Sequence, residues 1–157
     1  MIGDINLFLT PDNEEDEDTN EQPPATAAGS HRSLRVIGEV EIMIAEKTQQ
    51  GKGLGREILL TFLWYIVTSL DSIMAEYHGV HGSGRTASTM EILRVKIDKD
   101  NVRSIKLFES VGFTRVQDEP NYFGELERRR SVASMNCKQL EAQMGMVPKV
   151  VEYKAEK

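Results

Sequence analysis

Gln50-Gly51-Lys52-Gly53-Leu54-Gly55 is the stretch on which the reading of the fold turns. It lies between an alternating, strand-like run, Val36 to Ala45, and an apolar, helix-like run, Arg56 to Leu70. A glycine turn from a strand into a helix is a phosphate-binding device. The first backbone N–H groups of a helix lack partners and carry partial positive charge, so they draw anions. Glycine lets a phosphate approach that backbone where a side chain would hold it off. The hydrolase pattern Gly-x-x-x-x-Gly-Lys-Ser/Thr is absent, because Arg56 and Glu57 follow Gly55. The dinucleotide pattern Gly-x-Gly-x-x-Gly is absent too. Ile58 or Arg56 stands where its third glycine would be, depending on the pair chosen.

A second segment carries a related signal. In Asn101-Val102-Arg103-Ser104-Ile105-Lys106-Leu107-Phe108-Glu109-Ser110-Val111-Gly112-Phe113, the residues Val102, Ile105, Phe108 and Val111 recur at helical spacing and share one face. Asn101 reads as the N-cap of that helix and Gly112 as the glycine that ends it. The run before it, Leu93 to Ile97, alternates apolar and charged residues as a strand does.

These segments together resemble the GNAT superfamily of N-acetyltransferases. Gln50, Gly53 and Gly55 match its pyrophosphate loop, Gln/Arg-x-x-Gly-x-Gly/Ala. Asn101, Ser104, Phe108, Gly112 and Phe113 match its second coenzyme motif, Asn-x-x-Ser/Ala-x-x-x-Phe/Tyr-x-x-x-Gly-Phe. Gly3 to Leu9 and Glu39 to Glu46 narrow the likeness to the N-acetyltransferase 9-like branch. The resemblance covers Ile2 to Leu9 and about Leu34 to Arg128.

The resemblance implies an α/β fold, a mixed and mostly antiparallel sheet flanked by helices. It implies acetyl-coenzyme A as co-substrate, no metal, and direct attack of a protein or peptide amine on the thioester. Backbone N–H groups of Gln50, Gly51, Lys52, Gly53, Leu54, Gly55 and Arg56 would hold the pyrophosphate. Backbone atoms of Met43, Ile44 and Ala45 would pair with the pantetheine arm like an extra strand, and Asn101 would hydrogen-bond it. Glu39 aligns with the glutamate that many relatives use as a base, and Glu41 is the adjacent candidate. Partial burial would suit either carboxylate to that role; a solvent-facing pair on a strand is the plainer alternative. Phe108 takes the cofactor-side position where many relatives place a tyrosine acid, and it cannot donate a proton. Ser104 takes the serine position of the ribosomal-protein acetyltransferase branch, where it could hydrogen-bond the leaving sulfur or simply complete the helix start.

A complete domain of this family opens with a strand and two helices. Here the second strand follows Met1 almost at once, so a chain lacking its N-terminal part is expected, with an exposed sheet edge at Ile2 to Leu9. Two functions then stand open. One is an active acetyltransferase; the other is a coenzyme-binding or protein-interaction fragment without turnover.

Composition bounds the rest. The chain has 157 residues and a net charge of −6, the length of one domain. Seven of its 25 acids lie between Pro11 and His31, in a segment without Lys or Arg, so the remainder is close to neutral. The wider stretch 11–33 reads as a flexible acidic insert. No basic helix suggests nucleic acid. No apolar stretch is long enough to span a membrane and no signal peptide is visible. The single cysteine, Cys137, excludes a disulfide framework and fits the cytoplasm, or the nucleus. The domain is expected over 1–130, with a flexible Gly/Ser/His loop at 71–90 and a polar C-terminal tail at 131–157. His78 and His81 read as loop residues rather than metal ligands. Arg128 to Arg130 read as an exposed basic strand end. The oligomeric state stays open.

Overall fold

The computed structural model describes residues 2–12, 33–82 and 87–151. Most of the acidic insert, part of the Gly/Ser/His loop and the last residues of the tail lie outside the described residues. The elements are β1 (Gly3–Pro11), β2 (Leu34–Ile44), α1 (Leu54–Thr68), α2 (Leu70–His81), β3 (Ser88–Asp98), α3 (Val102–Ser110), β4 (Thr114–Arg115), β5 (Glu125–Ser131) and α4 (Cys137–Met144). The strands form one sheet in the order β1-β2-β3-β5-β4. Only the β2–β3 pairing is parallel; the others are antiparallel. The mixed, mostly antiparallel sheet expected from the sequence is therefore present.

Alternation decides which way each strand faces. Val36, Val40, Leu93, Val95 and Ile97 are buried together with Leu59, Leu60, Leu63 and Ile66 of α1 and Phe108 of α3. Glu39 and Arg94, paired across β2 and β3, share the opposite face. The apolar character of α1 is explained by this burial; among the described residues no single helix is long and apolar enough to cross a membrane. A register shift falls between Val36 and Ile37, just before Gly38. Gly38 itself is packed from all sides. A Cβ there would stand 2.6 Å from Met90 Sδ, 2.8 Å from Leu93 Cδ2 and 3.0 Å from Leu7 Cδ1. Gly38→Val is expected to destabilise the domain by about 3 kcal/mol through overpacking, read as a lower urea midpoint. An unchanged midpoint would show that these side chains yield freely.

Three expectations are corrected. The segment 71–90 contains helix α2 and the start of β3, not only a loop. Its glycines and serines suggested a turn, but Met74 and Tyr77 are buried one turn apart and fix a helix on the sheet. A bend of 69° separates α2 from α1, and His81 stacks on Tyr77 with ring centroids 4.4 Å apart. The tail at 131–157 is also partly built. Leu140 of α4 is fully buried, and Trp64 Nε1 of α1 donates to Glu141 Oε1 at 2.9 Å. Finally, Arg128 to Arg130 are strand interior. Arg128 is 4% exposed and donates to Glu109 of α3 at 2.9 Å. Arg130 donates to the Val111 carbonyl at the end of α3, and burial pulls it below the ordinary arginine range. Sequence polarity alone could not show that β5 lies against α3.

Candidate coenzyme site

The site grows from a parting of two strands. β2 and β3 pair in parallel from Leu34↔Ser88 to Glu39↔Arg94 and then separate. Val40 to Ile44 keep their β1 partners, and Val95 to Asp98 keep their β5 partners. The facing backbone groups in between lack strand partners, and an extended ligand can pair with them. Both strands end at the same side of the sheet because they are parallel. Ligand sites in α/β sheets gather at such carboxyl ends.

The glycine loop closes the mouth of this gap. Gly51 and Gly53 have φ of +74° and +86°, a left-handed conformation that favours glycine. Gly53 is the N-cap of α1. Gln50 Nε2 donates to the Ile44 carbonyl at 2.7 Å and ties the loop back to β2. Gly55 faces α3, where a Cβ would make ordinary contact with Leu107 Cδ2 at 3.4 Å. From the other side, Asn101 Oδ1 accepts from the Ser104 N–H at 3.2 Å and caps α3. That leaves the amide N–H₂ of Asn101 for another acceptor.

Between these walls lies a cleft of about 360 Å³. Gln50, Gly51, Gly53, Gly55, Arg56, Asn101 and Ser104, which the resemblance assigned to the coenzyme, line it. Ile44 also lines it, whereas Met43, Ala45, Lys52 and Leu54 do not. Met43 is 52% exposed on the open face of the sheet. Phe108 is a correction: it is 2% exposed and packs edge-on to Phe113 at 5.1 Å, so it belongs to the core and is not a coenzyme contact. It lies on the helical face that also holds buried Val111, and that periodicity was the better guide to its place. Arg103, Leu107, Gln49 and Ile42 line the cleft and were not singled out from the sequence. For Arg103 a signal existed: a cation in the first turn of a helix opposes the helix dipole.

Among the described residues no acid lines the cleft, although the chain as a whole is acidic, and Arg56 and Arg103 are its only charged lining residues. Two helix N-termini also converge there. Such a cleft suits an elongated anion. The proton-accepting candidates lie on the open sheet face. Glu39 Oε2 accepts from Arg94 Nε at 2.7 Å and lies 3.5 Å from Lys96 Nζ. Glu41 is exposed, and no partner holds it among the described residues. Ser104 is half-buried, and its hydroxyl has no partner among the described residues. Among the described residues no group of three or more His, Cys, Asp or Glu could hold a metal. His78 Nδ1 instead meets Ser88 Oγ at 2.9 Å.

The fold and this cleft define a GNAT acetyltransferase domain. Residues 1–114 match the model of the acetyltransferase (GNAT) domain family, and the chain belongs to that family. It is 35% identical over 133 residues to an N-acetyltransferase 9-like protein of Schizosaccharomyces pombe, covering 81% of this chain and 54% of that one. It is 32% identical to the human alpha/beta-tubulin-N-acetyltransferase 9, covering 85% of this chain and 45% of the relative. The chain thus spans about half the length of these relatives. Among solved structures, it resembles a GNAT-family acetyltransferase of Streptococcus pneumoniae at 16% identity and a TM-score of 0.46, covering 82% of this chain and 59% of that one. It also resembles the spermidine N-acetyltransferase of Vibrio cholerae, in complex with CoA and spermine, at 17% identity and a TM-score of 0.45, covering 62% of this chain and 50% of that one.

Proposed function

We propose that the chain binds acetyl-coenzyme A and serves an N-acetyltransferase that moves the acetyl group to a primary amine of a protein or peptide. The observation that carries this reading is the parting of β2 and β3 beyond Glu39 and Arg94, with the glycine loop and Asn101 at its mouth. The pantetheine arm would lie in the gap as a short strand, and the pyrophosphate would sit at the start of α1. The acceptor amine loses a proton to the Glu39/Glu41 face of β2 and attacks the thioester carbon. The tetrahedral adduct collapses, the carbon–sulfur bond breaks, the nitrogen sheds its second proton to give the amide, and the departing thiolate takes up a proton to leave as coenzyme A. The Ser104 hydroxyl, which lines the cleft, would hydrogen-bond that sulfur. The names of the human and Drosophila melanogaster relatives, alpha/beta-tubulin-N-acetyltransferase 9, support a protein amine as acceptor. A reducing compartment, cytoplasm or nucleus, suits the lone Cys137.

One observation favours a second reading, coenzyme binding without turnover: Phe108 offers no phenol and is buried. Calorimetry with acetyl-coenzyme A, followed by turnover on a panel of peptides, separates the two. The expected result is micromolar binding with acetyl transfer to at least one peptide amine. Binding without transfer would support the second reading, and a folded chain that binds nothing would defeat both.

A further inference from the structure

By the ordinary rules of helix electrostatics, two arginines in this molecule are misplaced. Arg56 lies in the first turn of α1 and Arg103 in the first turn of α3. Each faces the positive end of its own helix dipole, where acids are favoured and cations are not. The first turn of α3 contains no acid to offset Arg103. Both residues line the same cleft, with no carboxylate among its lining residues in the described part of the chain. The two walls therefore bring two helix N-termini and the Arg103 guanidinium to one space.

Arg56 has a tether, because its Nη2 donates to Gln143 Oε1 of α4 at 3.4 Å. Arg103 has none: no hydrogen bond or ion pair holds its exposed guanidinium among the described residues. Yet it reaches across the cleft. Its Nη2 lies 3.4 Å from the point where a Cβ of Gly51 would stand. The guanidinium is thus next to the backbone of the glycine loop, although its own Cα is on α3. A planar fork of donors beside a row of backbone N–H groups is a complete phosphate clasp.

We infer that Arg103 is a coenzyme-binding residue: it spans the cleft from α3 and hydrogen-bonds the pyrophosphate from the side opposite the glycine-loop N–H groups. This rests on the reading of the cleft as the coenzyme site. The arrangement has a thermodynamic signature. Without an anion, Arg103 opposes the α3 dipole, so the empty site is held at a cost. An acid at 103 would relieve that cost while destroying the clasp. Stability and binding should therefore move in opposite directions, which a merely structural arginine would not produce.

The test is calorimetry with coenzyme A and with dephospho-coenzyme A, beside melting of the ligand-free protein. Variants Arg103→Ala, Arg103→Glu and Lys106→Ala are compared with the parent chain. Arg103→Ala is expected to weaken both ligands about tenfold, the loss of one charge-assisted contact. Arg103→Glu should weaken both about a hundredfold while the ligand-free protein melts at the same temperature or higher. Lys106→Ala, a neighbouring cation outside the cleft lining, should stay within about twofold of the parent. Binding by Arg103→Ala within about twofold of the parent would overturn the inference alone. So would a loss seen with coenzyme A only, which would place Arg103 on the 3′-phosphate. A lower melting temperature for Arg103→Glu would reassign the residue to the fold. A parent chain that binds neither ligand would overturn both the inference and the proposed function.

Discussion

Gly53→Glu is expected to raise the Kd for acetyl-coenzyme A by more than about a hundredfold and to leave the chain folded. Gly53 caps α1 with φ of +86° and ψ of −12°, and no heavy atom lies within 4 Å of the position its Cβ would take. A side chain there meets open space, so the substitution removes no packing. It does place an L-residue in the left-handed region, at a cost of about 1–2 kcal/mol. The melting temperature should fall by about 2–8 °C. Binding suffers far more. The new carboxylate stands where the phosphate would approach, at the start of α1, and satisfies the same N–H groups from within. Gly53→Ala separates the two effects. It carries the backbone strain without the charge, so its melting temperature should match that of Gly53→Glu while its affinity falls only about tenfold. If Gly53→Glu binds like the parent, the glycine loop is not the phosphate site.

The loop's shape was legible because backbone geometry leaves a trace in glycine spacing. The same holds for Asn101, whose capping role follows from its place before an amphipathic run and is seen in its bond to the Ser104 N–H. What the sequence hid was relational. Nothing in Gly79, Gly82 and the histidines around them announced α2, because that helix depends on Met74 and Tyr77 finding the sheet. Polar spacing after Ser134 gave no sign that Leu140 would be fully buried or that Glu141 would hold Trp64. Arg128 read as surface charge, whereas its partner Glu109 lies on α3, nineteen residues away in sequence. Phe108 illustrates the reverse risk. Its motif position pointed to the coenzyme, while its apolar periodicity pointed to the core, and the periodicity described where the ring is.

The α4 contacts bear on the site in a way that the motifs did not suggest. Gln143 accepts from Arg56, and Glu141 accepts from Trp64 two turns further along α1. The C-terminal helix therefore packs on α1, the helix that opens at the glycine loop. A segment expected to be a tail holds in place one wall of the cleft.

Replacing both carboxylates on the open face, Glu39→Gln with Glu41→Gln, is expected to lower turnover by about a hundredfold or more on any peptide the chain acetylates, with acetyl-coenzyme A binding unchanged. The proton of the acceptor ammonium must leave before nitrogen can attack, and these two carboxylates are the acids that β2 presents on that face. The single variants should differ in stability, because the residues are held differently. Glu39 is about four-fifths buried, between Arg94 and Lys96. Its neutralisation leaves two cations without their partner and should lower the melting temperature measurably. Glu41 is exposed and has no partner among the described residues, so Glu41→Gln should melt with the parent. A double variant of Glu39→Gln with Arg94→Gln then tells structure from chemistry. If Glu39 serves only the ion pair, removing Arg94 as well recovers stability and activity together. If Glu39 takes the proton, stability returns and turnover does not. Full turnover by the Glu39→Gln/Glu41→Gln variant would exclude this face of β2 as the proton acceptor. The deprotonation would then have to be assigned to solvent or to another group.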